Sequence, residues 1–217
     1  EYPAETLRLF IFSTQYRNPL DFSEAALQDA QAGLYRMYEC LAQISRLVQT
    51  VERGADALIG QKDKRKIQAL RQRFEKAMDN DFNTAQALGH LFDEVKVLNK
   101  VCRMLGSPQA RLHTEDVDLL EQAGATIQEL AGLLGILQQD PIKYLQEKKA
   151  KLLAAISLSE EEIKSLIAER NAARKNKDWA ASDAVRDKLL AHKIELHDGP
   201  DGTTWGVNAS SGTRAAT

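Results

Sequence analysis

Leu27, Leu34, Met37, Cys40, Leu41, Ile44, Leu47, Val48 and Val51 recur at intervals of three and four. That spacing lays one unbroken apolar stripe along a helix running to about Val51, and so long a stripe must be covered by other helices. Ser23 stands where an N-cap belongs, with Glu24 in the first turn. Two more stretches obey the same rule. From Thr84 to Met104, Leu88, Leu91, Phe92, Val95, Leu98, Val101 and Cys102 face one way, and another helix opens at Thr114 and ends near Leu137. Lys64 to Met78 reads as a further helix, highly charged on one face. Arg53 to Asp63, with Gly54 and Gly60, and "GSPQARLHT" read as breaks. Four long amphipathic helices with short links predict an antiparallel bundle.

The link "DNDFNT" at 79–84 is unusually polar for a helical turn. Asn83 or Thr84 is placed to cap the helix that follows, and Asp79 and Asp81 lie near its positive end. Phe82 is expected to tuck inward as the apolar anchor, so that Phe82→Ala costs about 3–5 kcal/mol. Ahead of the bundle, Leu7, Phe10 and Ile11 at i, i+3 and i+4 predict a short helix that packs on something. The first residue is Glu1 rather than methionine, which reads as a piece cut from a longer polypeptide.

Past Asp140 the character changes. "DPIKYLQEKKAKLLAA" is rich in lysine, and a compact final unit follows. Ser159 caps a helix whose first turn is Glu160, Glu161 and Glu162, as the helix dipole favours. Asp178 caps the next, which runs to about His192. Ile194 to His197 and Thr203 to Val207 alternate around the turn residues Asp198 to Gly202, the pattern of a β-hairpin. The tail from Asn208 is small and polar.

Hydrophobic residues make up 43% and charged residues 28%, with both signs interspersed. That composition belongs to a soluble globular chain and excludes a disordered or membrane-spanning one. No signal peptide stands at the start, so a cytoplasmic location is expected. Cys40 and Cys102 form no CxxC pair, and His90, His113, His192 and His197 are scattered without metal-ligand spacing. No glycine-rich phosphate loop or nucleophile elbow is present. As an isolated catalyst this chain has nothing to work with.

Chemistry of another kind is concentrated near the C-terminus. From Lys164 to Lys188 there are seven Lys or Arg against four Asp or Glu, a local +3 in a chain of net −2. Arg170, Arg174 and Lys177 form one stripe; Trp179, Asp183 and Arg186 repeat its spacing on the following helix. Cations beside an exposed ring suit single-stranded nucleic acid, where phosphates meet the charges and a base stacks on the indole. Aspartates then read base edges that present donors, which unpaired loops expose. The bland alternative is a solvated helix face with Trp179 in the core.

Three phrases, "QYRNPLDFSEAAL", "AMDNDFNTAQALGHLFDEVKVLN" and "ARKNKDWAASDAVRDKLLAHKIELHDGPDGTTW", resemble the C-terminal half of bacterial cysteinyl-tRNA synthetases, class I aminoacyl-tRNA ligases. The resemblance runs in order from Tyr2 to Trp205. It implies a mainly α fold: a DALR-type antiparallel helical bundle followed by a small α+β domain of two helices and a β-hairpin. Residues 1–22 would end the stem-contact fold, 23–139 form the bundle, 140–158 connect, 159–207 bind the anticodon and 208–217 form a tail. The 79–84 link would be a fixed corner between catalytic and anticodon domains. The family's anticodon readers fall on Arg174, Trp179, Asp183 and Asp198, with Arg170, Lys175, Lys177 and Arg186 toward the RNA backbone. Its partners would be tRNA-Cys, through the GCA anticodon, and an N-terminal catalytic domain. ATP, magnesium and zinc belong to that domain, whose HIGH and KMSKS signatures are missing here, so the fragment would be inactive alone with no cofactor of its own. After Trp205 the sequence departs from relatives, with Gly206 and Val207 where basic residues often follow. Two other readings remain: a stand-alone helical protein-interaction module, and a ligase joining cysteine to an amino sugar, which has no reason to keep the anticodon words.

Overall fold

The structure, a computed structural model, describes residues 2–54, 59–105, 111–154, 158–176, 178–192, 194–199 and 202–207. The chain divides into two compact units, 1–145 and 146–217, and the division falls within one helix.

In the first unit α1 (Ala4–Phe12) precedes α2 (Glu24–Thr50), whose start is fixed by Ser23 Oγ accepting from the Ala26 N–H at 3.3 Å. The central stripe behaves as its spacing requires: Leu34, Met37, Cys40, Leu41 and Ile44 are all buried. They meet α5 (Thr84–Leu105) and α6 (Thr114–Leu133) in a single core. Gly33 lets α2 approach α5, since a Cβ there would lie 2.9 Å from the Phe92 ring. Cys40 and Cys102 are buried, and burial pushes the Cys102 thiol up to about 11, so neither is a nucleophile near neutrality.

Four expectations are corrected here. The charged helix expected over 64–78 is two, α3 (Gln61–Gln68) and α4 (Leu70–Asp79), broken at Ala69. The regions around Arg53 and Arg111 are more than breaks: β1 (Glu52–Gly54) and β2 (Arg111–His113) pair as a short parallel ladder. In α1 the inward residues are Glu5, Thr6, Leu9 and Phe10, while Leu7 and Ile11 are exposed. The helix is turned by a polar anchor: Glu5 accepts from the Tyr38 hydroxyl at 2.7 Å and from the Gln138 N–H at 3.1 Å. Finally, α6 stops at Leu133, because Gly135 takes φ +65° and Ile136 N–H reaches back to the Ala131 carbonyl at 3.1 Å.

The polar link repays its composition differently from expectation. Asn83 caps α5, its Oδ1 accepting from the Gln86 N–H at 2.9 Å. Asp81 accepts from the Tyr16 hydroxyl at 2.9 Å and pairs with Arg17 at 2.8 Å. Phe82 does not tuck inward; it is 68% exposed. Asp81 and Phe82 both adopt left-handed backbone, φ +55° and +47°, a conformation costing about 1–2 kcal/mol for a residue with a Cβ.

The first unit also hides charge. Glu94 is fully buried with Arg73 at 2.9 Å, and Asp116 is fully buried with Lys64 at 2.6 Å. Burial pushes the Glu94 carboxyl up to about 7 against the pull of Arg73.

The remaining helix, α7 (Pro141–Ala154), carries Tyr144, which stacks on Tyr38 at 3.7 Å between ring centroids. The second unit contains α8 (Glu160–Lys175), α9 (Trp179–Ala191) and an antiparallel hairpin, β3 (Ile194–Gly199) with β4 (Gly202–Val207). Ser159 and Glu162 form a full capping box at the head of α8. Ile163, Ile167, Val185, Leu189 and Ile194 make its small core, with Trp205 packed at the edge. Lys149 Nζ sits 4.3 Å from the centre of the Trp205 ring and 3.0 Å from Glu160.

Candidate nucleic-acid interface

Position on α9 is decided by three small or apolar residues. Ser182, Val185 and Leu189 fall on one stripe and are buried, which fixes the rotation of the helix. Trp179, Asp183 and Arg186 are thereby left outside: the indole is 61% exposed, and both charged side chains are more than half exposed. Trp179 is the first residue of the helix, held by the Asp178 cap, whose Oδ1 accepts from the Ala181 N–H at 3.0 Å. The ring is therefore not a core residue, and the bland alternative for it is set aside.

Arg186 lies 3.7 Å from Asp183 on one side and 3.7 Å from Asp187 on the other. Pairs so long and exposed contribute little, on the order of 0–1 kcal/mol. Both partners keep most of their hydrogen-bonding capacity for a ligand. A guanidinium of this kind can turn to a phosphate while the carboxylates accept from base donors.

On α8 the expected basic stripe is only half right. Arg174 and Lys175 are exposed in the last turn. Arg170 is corrected: it is 7% exposed, because it continues the inward stripe of Ile163 and Ile167 at i+7 and i+3. Its methylenes lengthen the apolar wall, as long cationic side chains often do. Lys177 lies outside the described residues, and of Asp198 only the backbone is described. That backbone pairs with Thr203, whose hydroxyl donates to Asn171 Oδ1 at 3.2 Å. Asn171 thus ties the hairpin to α8 one turn before Arg174. It was not legible from the sequence, where nothing links positions 32 apart; the threonine run at 203–204 gives no signal of its target. Among the described residues no group of three His, Cys, Asp or Glu is placed to hold a metal ion.

The comparisons with known proteins bear on this same region. Residues 73–138 match a DALR domain, and residues 159–205 match a cysteinyl-tRNA ligase anticodon binding domain. Over nearly its whole length the chain is similar to the C-terminal part of cysteine–tRNA ligases. The cysteine–tRNA ligase of Desulfotalea psychrophila is 49% identical over 210 residues, covering 97% of this chain and 42% of that protein. Those of Trichlorobacter lovleyi and Geobacter sp. strain M21 are each 42% identical, covering 95% of this chain and 42% and 41% of theirs. The chain therefore spans about two-fifths of the length of these cysteine–tRNA ligases. The anticodon-binding match contains α8, α9 and the hairpin up to Trp205, and so takes in Arg174, Trp179, Asp183, Arg186 and Asp198.

Proposed function

We propose that this chain binds the anticodon arm of tRNA-Cys as part of an enzyme that joins cysteine to tRNA at the expense of ATP. The observation that carries the reading is the exposed Trp179 indole, standing with Asp183 and Arg186 on one side of α9 inside the segment that matches an anticodon binding domain. Trp179 stacks on an unpaired anticodon base. Asp183 and Asp198 accept from donor edges of the GCA triplet, and Arg174 is the fourth reader. Lys175, Lys177 and Arg186 hold phosphates, while Arg170 acts from inside by keeping α8 in place. Residues 1–22 end the stem-contact fold and 140–158 connect the two binding regions. ATP, magnesium and zinc are handled by the catalytic part of such an enzyme, so the fragment alone forms no aminoacyl bond and takes no cofactor. The location that goes with such an enzyme is the cytoplasm. Separately, none of the described helices is long and apolar enough to cross a membrane.

A gel-shift titration of the 217-residue chain with a tRNA-Cys transcript tests this. Binding should weaken steeply with salt and fall when the GCA anticodon is replaced. Equal affinity for both anticodons, or no RNA affinity at all, would favour a stand-alone protein-interaction module instead.

A further inference from the structure

One cleft in the first unit takes no part in the function proposed above. It encloses about 520 Å³ between α2, α6 and the link that joins α6 to α7. Leu41, Ile44 and Val48 of α2 line it together with Gly124 of α6, and residues 137–141 supply the remaining wall. Two features of that lining cost stability. Glycine inside a helix is about 1 kcal/mol poorer than alanine. A Cβ at Gly124 would meet Ile44 at 3.7 Å and Leu41 at 3.8 Å, ordinary contact distances, so helix packing does not demand the glycine. Its missing side chain leaves room in the cleft instead. Leu137 adopts left-handed backbone, φ +58°, at a further cost of about 1–2 kcal/mol. The link is held on this course from behind: the Gln138 N–H donates to Glu5 at 3.1 Å and the Gln139 N–H to the Tyr38 hydroxyl at 3.2 Å. A half-apolar cleft of this size, kept open against helix propensity and backbone preference, is built as small-molecule sites are.

Charge selects the occupant. The polar part of the lining includes Ser45, Gln49, Gln128 and two carboxylates, Glu121 and Asp140. Among the described residues no Lys, Arg or His lines the cleft. A phosphate, a nucleotide or the carboxylate of an amino acid would meet like charge and no counter-charge, which excludes ATP and free cysteine. Asp140 commits Oδ1 to the Lys143 N–H at 2.8 Å, and Glu121 is exposed with no ion pair among the described residues. An ammonium group brings three donors and a positive charge to carboxylate and amide oxygens, and its methylenes cover aliphatic side chains. Two carboxylates call for more than one such group. We infer that this cleft binds an alkyl polyamine, with its charged ends on Glu121, Asp140 and the glutamine oxygens and its methylenes over Ile44 and Val48.

Spermidine is the probe, titrated at physiological salt and without RNA into the 217-residue chain while backbone amide NMR shifts are followed. Saturable shifts should concentrate on residues 44–49, 121–128 and 137–141, and sodium hexanoate, of similar apolar length but opposite charge, should produce none. Glu121→Gln should weaken spermidine several-fold, and Gly124→Leu, which fills the cleft, should abolish its binding. Shifts that never saturate and scatter over acidic positions elsewhere overturn the site. An equal response to hexanoate, or full competition by magnesium chloride at the same charge concentration, overturns the polyamine as occupant. Unchanged spermidine affinity in Glu121→Gln sinks the charge argument, and that exposed substitution still decides if Gly124→Leu fails to fold. Because no RNA is present, the outcome is separate from that of Trp179-dependent binding.

Discussion

The two units bury apolar side chains on very different scales. In the first, thirty-two of the described residues form one cluster spanning five helices and more; in the second, five residues hold two helices and a hairpin together. The first unit also closes over whole carboxylates, Glu94 and Asp116, each against a cation. The second leaves its most distinctive residues outside. A large core can absorb the desolvation of an ion pair and fix a corner of backbone. A small core has just enough material to set the rotation of two helices, and that rotation is what puts Trp179, Asp183 and Arg186 on the surface. The contrast teaches a division of labour between a unit that holds shape and a unit that presents side chains.

The contrast breaks most visibly through core deletions. Phe74→Ala should destabilise the first unit by about 3–5 kcal/mol, and Leu189→Ala the second by about 2–5 kcal/mol. Calorimetry should show separate transitions, with Leu189→Ala erasing only the smaller one and abolishing RNA binding. A single transition that moves with either variant would deny the two units their independence.

Next in size is the pH response of Glu94. Its folded-state value lies near 7, above the ordinary 4.5. The protonated form is therefore favoured by folding, and its contribution is complete below about 4.5 and lost as the pH rises through about 7. Relative to Glu94→Gln, the first unit should lose up to roughly 3 kcal/mol between pH 4.5 and 8. Denaturant titrations at several pH values check this, and the second unit should show no such difference. Parallel curves for the two proteins would mean that Arg73 holds the carboxylate charged throughout.

Trp179→Ala should weaken anticodon-arm binding by about 1–3 kcal/mol without moving either thermal transition. A loss of stability instead would return the indole to the core. Smallest is Phe82→Ala, expected to change stability by no more than about 0.5 kcal/mol, as at other exposed positions. Phe82→Gly, which relieves the left-handed backbone, should be neutral or stabilising by up to about 1 kcal/mol. Thermal melts decide both, and a large loss from Phe82→Ala would show a buried ring.

Much of this architecture could be read from the chain. The Ser23, Ser159 and Asp178 caps act locally, through hydrogen bonds to residues three ahead, so each helix start was legible. The α2 stripe was equally plain, since one face of a long helix must be dry. What escaped depended on partners far away in sequence. The rotation of α1 is set by Glu5 with Tyr38 and Gln138, a polar anchor that hydrophobic periodicity ignores. The β1–β2 ladder joins three residues to three others nearly sixty positions on. Phe82 misled because an aromatic at a turn usually goes inward, whereas here two residues of left-handed backbone swing it out. At the candidate interface, exposure of Trp179 followed from the inward stripe of its own helix. Arg170 did not follow from its charge, because a stripe of cations and the edge of a core share the same spacing on α8.

The Asp178 cap has one last consequence. Helix beginnings ordinarily welcome phosphate, but the amide of Ala181 is already satisfied by a carboxylate, which also puts a negative charge at that doorway. A nucleotide arriving at α9 finds the end-on route shut. Under the proposed reading it would come alongside, ring against ring at Trp179, so that α9 would read by the side of its first turn rather than through its open amides.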